Sequence, residues 1–401
     1  MANLSQNTGI VVLGIFSIFF PVLLLPFSLL LFRKSHKVAM FCFILFAFYF
    51  GWFYPLQLDL LVHYVNFVRV AKFSFFKLYK DPETLYLGKE LYPILFKFIV
   101  GKISIEPAFF SAIACSLYAS AFMFFMRAFR KDYIKPMTTL QYILLVALFG
   151  IVEYYWFLGL RYWTGFFVFI GFYTRYLRDN NPKYLIFSLS CLLFHFAQLA
   201  IGIAVLLYYI LRKRLYVIYL LAAVGLVVRF LDWDIPSLIV PYVSKYGVLN
   251  ISYTDQSIAE STREYTQEYR EVQNLVYAWR NEILFFVGIV TARLLYRKTR
   301  DISLVENNLW RISWLVYAIA NFSFASIVLN DRLTKVACVL LYTCLWCFVS
   351  RFAAQRKTPI SIPPFALLFL GVCVLFGFLT TLVSQRESLL SLSLWFNNWF
   401  L

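Results

Sequence analysis

Apolar runs of about 20 residues recur along this chain, and the turns between them are crowded with lysine and arginine. A helix of that length reaches across the hydrocarbon of a bilayer, because it rises about 1.5 Å per residue and pairs its backbone polar groups within itself. Composition points the same way. Of 401 residues, 62% are hydrophobic and only 14% are charged, which is more apolar material than a globular core takes in. The expected fold class is therefore all-α, as a polytopic integral membrane protein forming a single membrane domain over residues 1–401. Lysine and arginine outnumber aspartate and glutamate by 37 to 20, a balance that elsewhere suits nucleic acid. Here the excess sits in short turns, where it orients helices, so no nucleic-acid partner is expected.

In chain order, the first apolar run spans Gly9 to Phe32 and is followed by Arg33, Lys34 and Lys37. A cleaved leader carries its basic residues before the apolar run, so this run is expected to remain as a helix with an outer N-terminus. Further spans are expected over Val38–Leu56, Glu106–Met126, Met137–Leu158, two flanking the turn Arg178–Lys183, Ala197–Leu211, Leu215–Val228, Ile283–Tyr296, Leu309–Leu329, Leu333–Val349 and Pro364–Val383. That makes about 12 spans with both termini outside. Residues 57–105 form the first extracytoplasmic loop, with lysines set among aromatics in the pattern of interfacial helices. Residues 229–282 form a second, long and polar loop, helical near Arg263 to Trp279, with Arg263, Arg270 and Arg280 on a solvated face.

Charge supports this alternation. The inner turns hold Arg33, Lys34, Lys37; Arg127, Arg130, Lys131, Lys135; Arg175, Arg178, Lys183; Arg212, Lys213, Arg214; Arg297, Lys298, Arg300; and Arg351, Arg356, Lys357. Those 19 residues are just over half of the 37 basic side chains. The seven cysteines all lie inside apolar segments and read as small buried hydrophobes. Cys344 and Cys347 have metal-site spacing, but no second ligand pair accompanies them, so neither a metal nor a cofactor is expected.

With the inside fixed, the remaining polar residues sort by face. Asp59, His63, Tyr64, Arg161, His195, Asp331 and Arg332 come from separate parts of the sequence, yet all fall at outer helix ends. Converging on one cavity, they would suit a lipid diphosphate, because a guanidinium presents a planar fork of donors and stays charged when partly desolvated.

Several of these positions carry a family likeness. The segments Asp59-Leu-Leu-Val-His63-Tyr64, Glu106-Pro107-Ala-Phe-Phe, Leu160-Arg161-Tyr-Trp-Thr-Gly, Leu193-Phe-His195-Phe-Ala-Gln and Asn330-Asp331-Arg332 resemble the EpsG-like branch of bacterial Wzy-type polysaccharide polymerases. The likeness runs from Gln57 to Tyr342. Tyr162 and Trp163 stand where that family has a glutamine and a small residue. The resemblance implies a GT-C-like glycosyltransferase in the bacterial inner membrane with its active site facing the periplasm or outside. Its substrate would be undecaprenyl-diphosphate-linked oligosaccharide, joined into O-antigen, capsule or exopolysaccharide, with a chain-length regulator and a flippase as partners beside the membrane lipids.

In such a transfer a hydroxyl attacks the anomeric carbon while negative charge grows on the departing diphosphate, and cations fixed at that oxygen lower the barrier. Arg161 is the first candidate for that task and Arg332 the second. His195, His63 and Asp59 are candidates to take the proton of the attacking hydroxyl. Tyr64, Tyr162, Asp331 and Arg280 are candidate contacts to substrate. Another lipid-linked-sugar glycosyltransferase or ligase would make one transfer per acceptor and lean more on Asp59 as base, whereas a carrier that makes no bond favours repeated broken helices and charges at mid-membrane.

Overall fold

The computed structural model describes residues 20–32, 35–54, 58–80, 91–130, 139–151, 161–231, 233, 275–296, 302–324, 327–355 and 371. Among the described residues every regular element is helical and none is a strand. The helices are α1 (Leu24–Phe32), α2 (His36–Phe53), α3 (Leu58–Ala71), α4 (Phe75–Lys80), α5 (Leu91–Ile103), α6 (Pro107–Arg130), α7 (Thr139–Ile151), α8 (Tyr162–Asp179), α9 (Pro182–Leu189), α10 (Leu199–Leu211), α11 (Leu215–Phe230), α12 (Leu275–Tyr296), α13 (Leu304–Phe322) and α14 (Ile327–Gln355). Three stretches, His36–Phe53, Pro107–Ala128 and Leu329–Arg351, are long and apolar enough to cross a membrane, and shorter apolar helices accompany them. Helices of this kind associate with membranes. The start of the span Gly9–Phe32, the ends of Met137–Leu158, nearly all of Pro364–Val383 and most of the helix near Arg263 to Trp279 lie outside the described residues.

The described chain divides into two compact units. In the first, α2 and α6 run antiparallel, with Phe43 against Phe122 at one level and Gly51 against Ser111 at another. A Cβ at Gly51 would stand 2.5 Å from the Ser111 carbonyl oxygen, so only glycine lets the backbones approach this closely. Gly51→Val is expected to cost about 1–3 kcal/mol, as overpacking does, read as a lowered denaturant midpoint; an unmoved midpoint would mean the two helices do not meet there. Helix α8 lies parallel to α6. Tyr118 meets Phe167 edge-on, Phe124 packs on Phe172, and the Arg178 guanidinium donates to the Ala128 carbonyl at 3.0 Å. The two basic ends, near Arg127 and Arg178, therefore coincide, as the charge pattern requires.

The turn after α8 is written locally. Asn180 takes the left-handed conformation (φ 48°) that asparagine tolerates at a helix end, and the Asn181 side chain accepts from the Lys183 N–H while Pro182 opens α9. The chain thereby folds back along α8, with Phe187 on Phe172. Helices α3 and α5 form a second pair packed on the start of α6 around Phe67, Phe96, Val100, Phe110 and Ala114. Lys102 closes the end of α3 by donating to the carbonyls of Ala71 and Phe73.

In the second unit α11 and α13 run together, and α12 and α14 run against them. Tyr219 accepts from the Trp310 indole N–H, and Gly225 packs on Ala318. Phe285 stacks on Tyr317 at 4.2 Å, while Tyr296 reaches Trp310. At one end of this bundle Ser303 and Glu306 cap α13 reciprocally, and the Glu306 carboxylate also takes two hydrogen bonds of 2.9 Å from Arg351. Arg311 donates to the Arg212 carbonyl at the same end. Arg212 and Arg351 thus lie at the same end of this unit, while the basic turn 297–300 falls outside the described residues.

Two boundaries differ from expectation. Helix α11 continues to Phe230 and α12 begins at Leu275, so the segment 229–282 is helical at both edges. Asn330, Asp331 and Arg332 lie inside α14, not in a turn. In both places polar side chains find partners on neighbouring helices, so polarity does not end the helix there.

Candidate functional site

His195 in the first unit sits where regular helix gives way. The 3-10 turns Ser190–Leu193 and Phe196–Gln198 flank it, with Phe194 and His195 themselves in a bend. Its ring is held on two sides. The Ala197 N–H donates to Nδ1 at 3.0 Å, and the buried Tyr162 ring meets the imidazole edge-to-face at 5.7 Å. The buried Gln198 side chain donates to the Tyr162 carbonyl, which ties this bend to the first residue of α8. Arg161 occupies the N-cap position of the same helix and is half-buried. A Cβ at Gly165 would stand 2.7 Å from Cβ of Phe194, so glycine is what admits the bend against α8. The sequence candidates Arg161, Tyr162 and His195 therefore share one locus.

His63 and Tyr64 belong to an adjoining locus of the same unit. The Lys97 ammonium lies 3.5 Å from His63 Nδ1 and is itself buried, while Tyr64 donates its hydroxyl to the Ile105 carbonyl at 3.0 Å. Helix α5 connects the two places, because Tyr92 on it stacks on Phe194 at 4.2 Å and Lys97 follows five positions later. That is about 7.5 Å along the helix axis. Asp59 lies on α3 one turn before His63, and its side chain lies outside the described residues. Both loci are at the end of the unit opposite Arg178 and Ala128.

The second unit carries a buried polar layer at the end opposite Glu306 and Arg351. Arg229 pairs with the Glu282 carboxylate, donates to Asn321 at 3.3 Å, and lies over the Phe324 ring at 4.9 Å. Asp331 accepts from Asn281 and from Lys335, each at 2.8 Å, and Asn330 donates to the Ala320 carbonyl. Arg280 is only 3% exposed, so its expected place on a solvated face is corrected to a buried one inside α12, while Arg263 and Arg270 lie outside the described residues. Arg332 is half-buried one position after Asp331. Among the described residues, four cations (Arg229, Arg280, Arg332, Lys335) stand with two carboxylates (Glu282, Asp331) in this layer. The excess of positive charge suits an anionic ligand.

Lys97, Gln198, Arg229, Asn281, Glu282 and Lys335 are polar members of these loci that the sequence reading did not select. Lys335 had a signal, its spacing of four from Asp331. The described cysteines are all buried, and Cys344 donates its thiol to the Glu306 carbonyl. Comparison of the chain with protein-family models, with curated proteins and with solved structures finds no match.

Proposed function

We propose that this protein is a GT-C-like glycosyltransferase of about 12 spans in a bacterial inner membrane. It joins undecaprenyl-diphosphate-linked oligosaccharide units into a surface polysaccharide on the periplasmic or outer face. The observation that carries the proposal is the segregation of polar groups within each unit. Basic turns collect at one end, and at the other end lie Arg161 with His195, or Arg280 with Arg332, among buried polar partners. Side chains of that kind inside apolar helices are costly and are kept for ligands or ion pairs. The resemblance of the segments around Asp59, Arg161, His195 and Asp331 to Wzy-type polymerases names the ligand.

The reaction forms a bond between an acceptor hydroxyl oxygen and the anomeric carbon of the donor sugar. The bond from that carbon to the diphosphate oxygen breaks, and its electron pair stays on the diphosphate. Within the first unit, Arg161 stabilises the oxygen that gains charge, and Tyr64 and Tyr162 contact the oligosaccharide; within the second, Arg280, Asp331 and Arg332 belong to a buried polar layer suited to an anion. Helices α3 to α5 lie along the membrane surface, with Phe75, Phe76 and Ile103 exposed beside Lys77 and Lys102.

Purified full-length protein incubated with undecaprenyl-diphosphate oligosaccharide is expected to yield a ladder of products on a gel. A single added unit would favour a ligase, and an unchanged substrate band would sink both enzyme readings. The buried pairs Arg229–Glu282 and Asp331–Lys335 favour a second reading, a carrier, since ion pairs inside helices also mark transport paths. Movement of the lipid-linked glycan across vesicles without any ladder would select it.

A further inference from the structure

We infer that the face formed by the start of α4 and the end of α5 binds anionic phospholipid, with Phe75 and Phe76 entering the acyl boundary and Lys72, Lys77 and Lys102 meeting the headgroup phosphates. The inference rests on the placement of α3 to α5 along the membrane surface, and not on the transfer chemistry. Residue order sets the charge. From Leu60 to Lys80 the chain holds Arg69, Lys72, Lys77 and Lys80 but no aspartate or glutamate. Exposure sets the apolar part: Phe75 and Phe76 are 63% and 79% exposed, and Ile99 and Ile103, one turn apart on α5, are 57% and 72% exposed. Apolar groups clustered in this way mark a surface made for a partner.

Ring and cation contacts tie these residues into one patch. Phe75 lies 6.4 Å from Phe76 and meets Phe98 of α5 edge-on at 6.2 Å. The Lys102 ammonium stands 5.1 Å from the Phe98 centroid while donating to the Ala71 and Phe73 carbonyls. Lys77 stands 5.0 Å from the centroid of the buried Phe73 ring, and its N–H is received by the Ser74 hydroxyl. Cations thus stand against the rings that support the exposed pair. Among the described side chains here, Arg69, Lys72, Lys77 and Lys102 outnumber the exposed Glu106, so the patch is net positive. A protein partner would have to bring carboxylates around an apolar socket. An anionic leaflet supplies both layers at once, phosphate at one depth and hydrocarbon about 5–10 Å below it. Lysine suits that arrangement, because its stem lies along apolar surface while its head stays at the polar level. Each such lysine favours anionic over neutral lipid on the order of fivefold.

The test uses full-length protein with photoreactive p-benzoylphenylalanine in place of Phe76, reconstituted in vesicles of equal parts phosphatidylglycerol and phosphatidylcholine. After irradiation, mass spectrometry identifies the lipid joined to the protein. The same residue in place of Leu206, 60% exposed on the apolar helix α10, serves as reference. Adducts at position 76 are expected to favour phosphatidylglycerol about fivefold or more, whereas those at position 206 follow the vesicle's composition. Lys72→Gln combined with Lys77→Gln is expected to bring position 76 back toward equal adducts, and added salt to do so in part. Equal adducts at both positions, an adduct joining two copies of the protein, or a preference that survives the double substitution each overturns the inference. So does a lipid adduct at position 206 with none at position 76. If neither position yields one, the membrane placement falls and takes the inference with it. A protein that makes no ladder but still selects phosphatidylglycerol at position 76 loses the polymerase reading alone.

Discussion

Arg161→Ala is expected to slow ladder formation by about 10² to 10³, with the protein still folded. The size follows from the loss of one fixed donor at a developing oxyanion, which elsewhere costs about 2.7–4 kcal/mol. Arg161 is suited to such a test because it caps the start of α8, where its removal deletes no buried core volume. Arg161→Lys sharpens the test. Lysine keeps the charge but lacks the planar fork, so it should fall between arginine and alanine if two phosphate oxygens are gripped at once. Turnover is read from the rate of band appearance, and folding from elution as a single species in detergent. A rate for Arg161→Ala within a factor of a few of the unaltered protein would remove this residue from the chemistry.

A second large effect is expected at Glu282. Its carboxylate is buried against Arg229, and Arg229 is itself nearly enclosed. Glu282→Ala strands that guanidinium, and stripping one partner from a buried pair costs about 3–5 kcal/mol. Asn321 and the Phe324 ring remain to Arg229, but neither carries a negative charge. The check is the denaturant midpoint in detergent. Replacing both residues, Arg229→Ala with Glu282→Ala, is expected to restore part of the loss, because no uncompensated charge is then left inside. If the two single losses simply add in the double variant, the pair does not exist as drawn.

Much of the helical framework could be read from residue order. The basic turns at Arg178 and at Arg212, Arg297 and Arg351 dictated which helix ends go together, and the contacts of Arg178 with Ala128 and of Glu306 with Arg351 obey that order within their own units. The turn Asn180-Asn181-Pro182 announced itself through residue types with fixed backbone preferences. The polar layers were less legible. Arg229 and Glu282 lie 53 positions apart, and nothing local in either segment announces the other. Polarity at Arg280 and at Asp331 looked like a solvated loop edge because, in sequence, a buried charge with a distant partner is indistinguishable from an exposed one. The bend at His195 has neither glycine nor proline at its centre, so its departure from helix comes from contacts with α8 and α5 and not from propensity.

The stretch Leu329–Arg351 reads as apolar as any span in the chain, yet from Leu333 to Ser350 it is enclosed by protein throughout. Its first turns carry Asn330, Asp331, Arg332 and Lys335, and Asp331 reaches across to Asn281 on an earlier helix. Such a segment is poorly lodged in fluid lipid by itself. It is synthesised after α11, α12 and α13, so by the time it leaves the ribosome its neighbours are already in place to receive it, and order of birth becomes order of assembly.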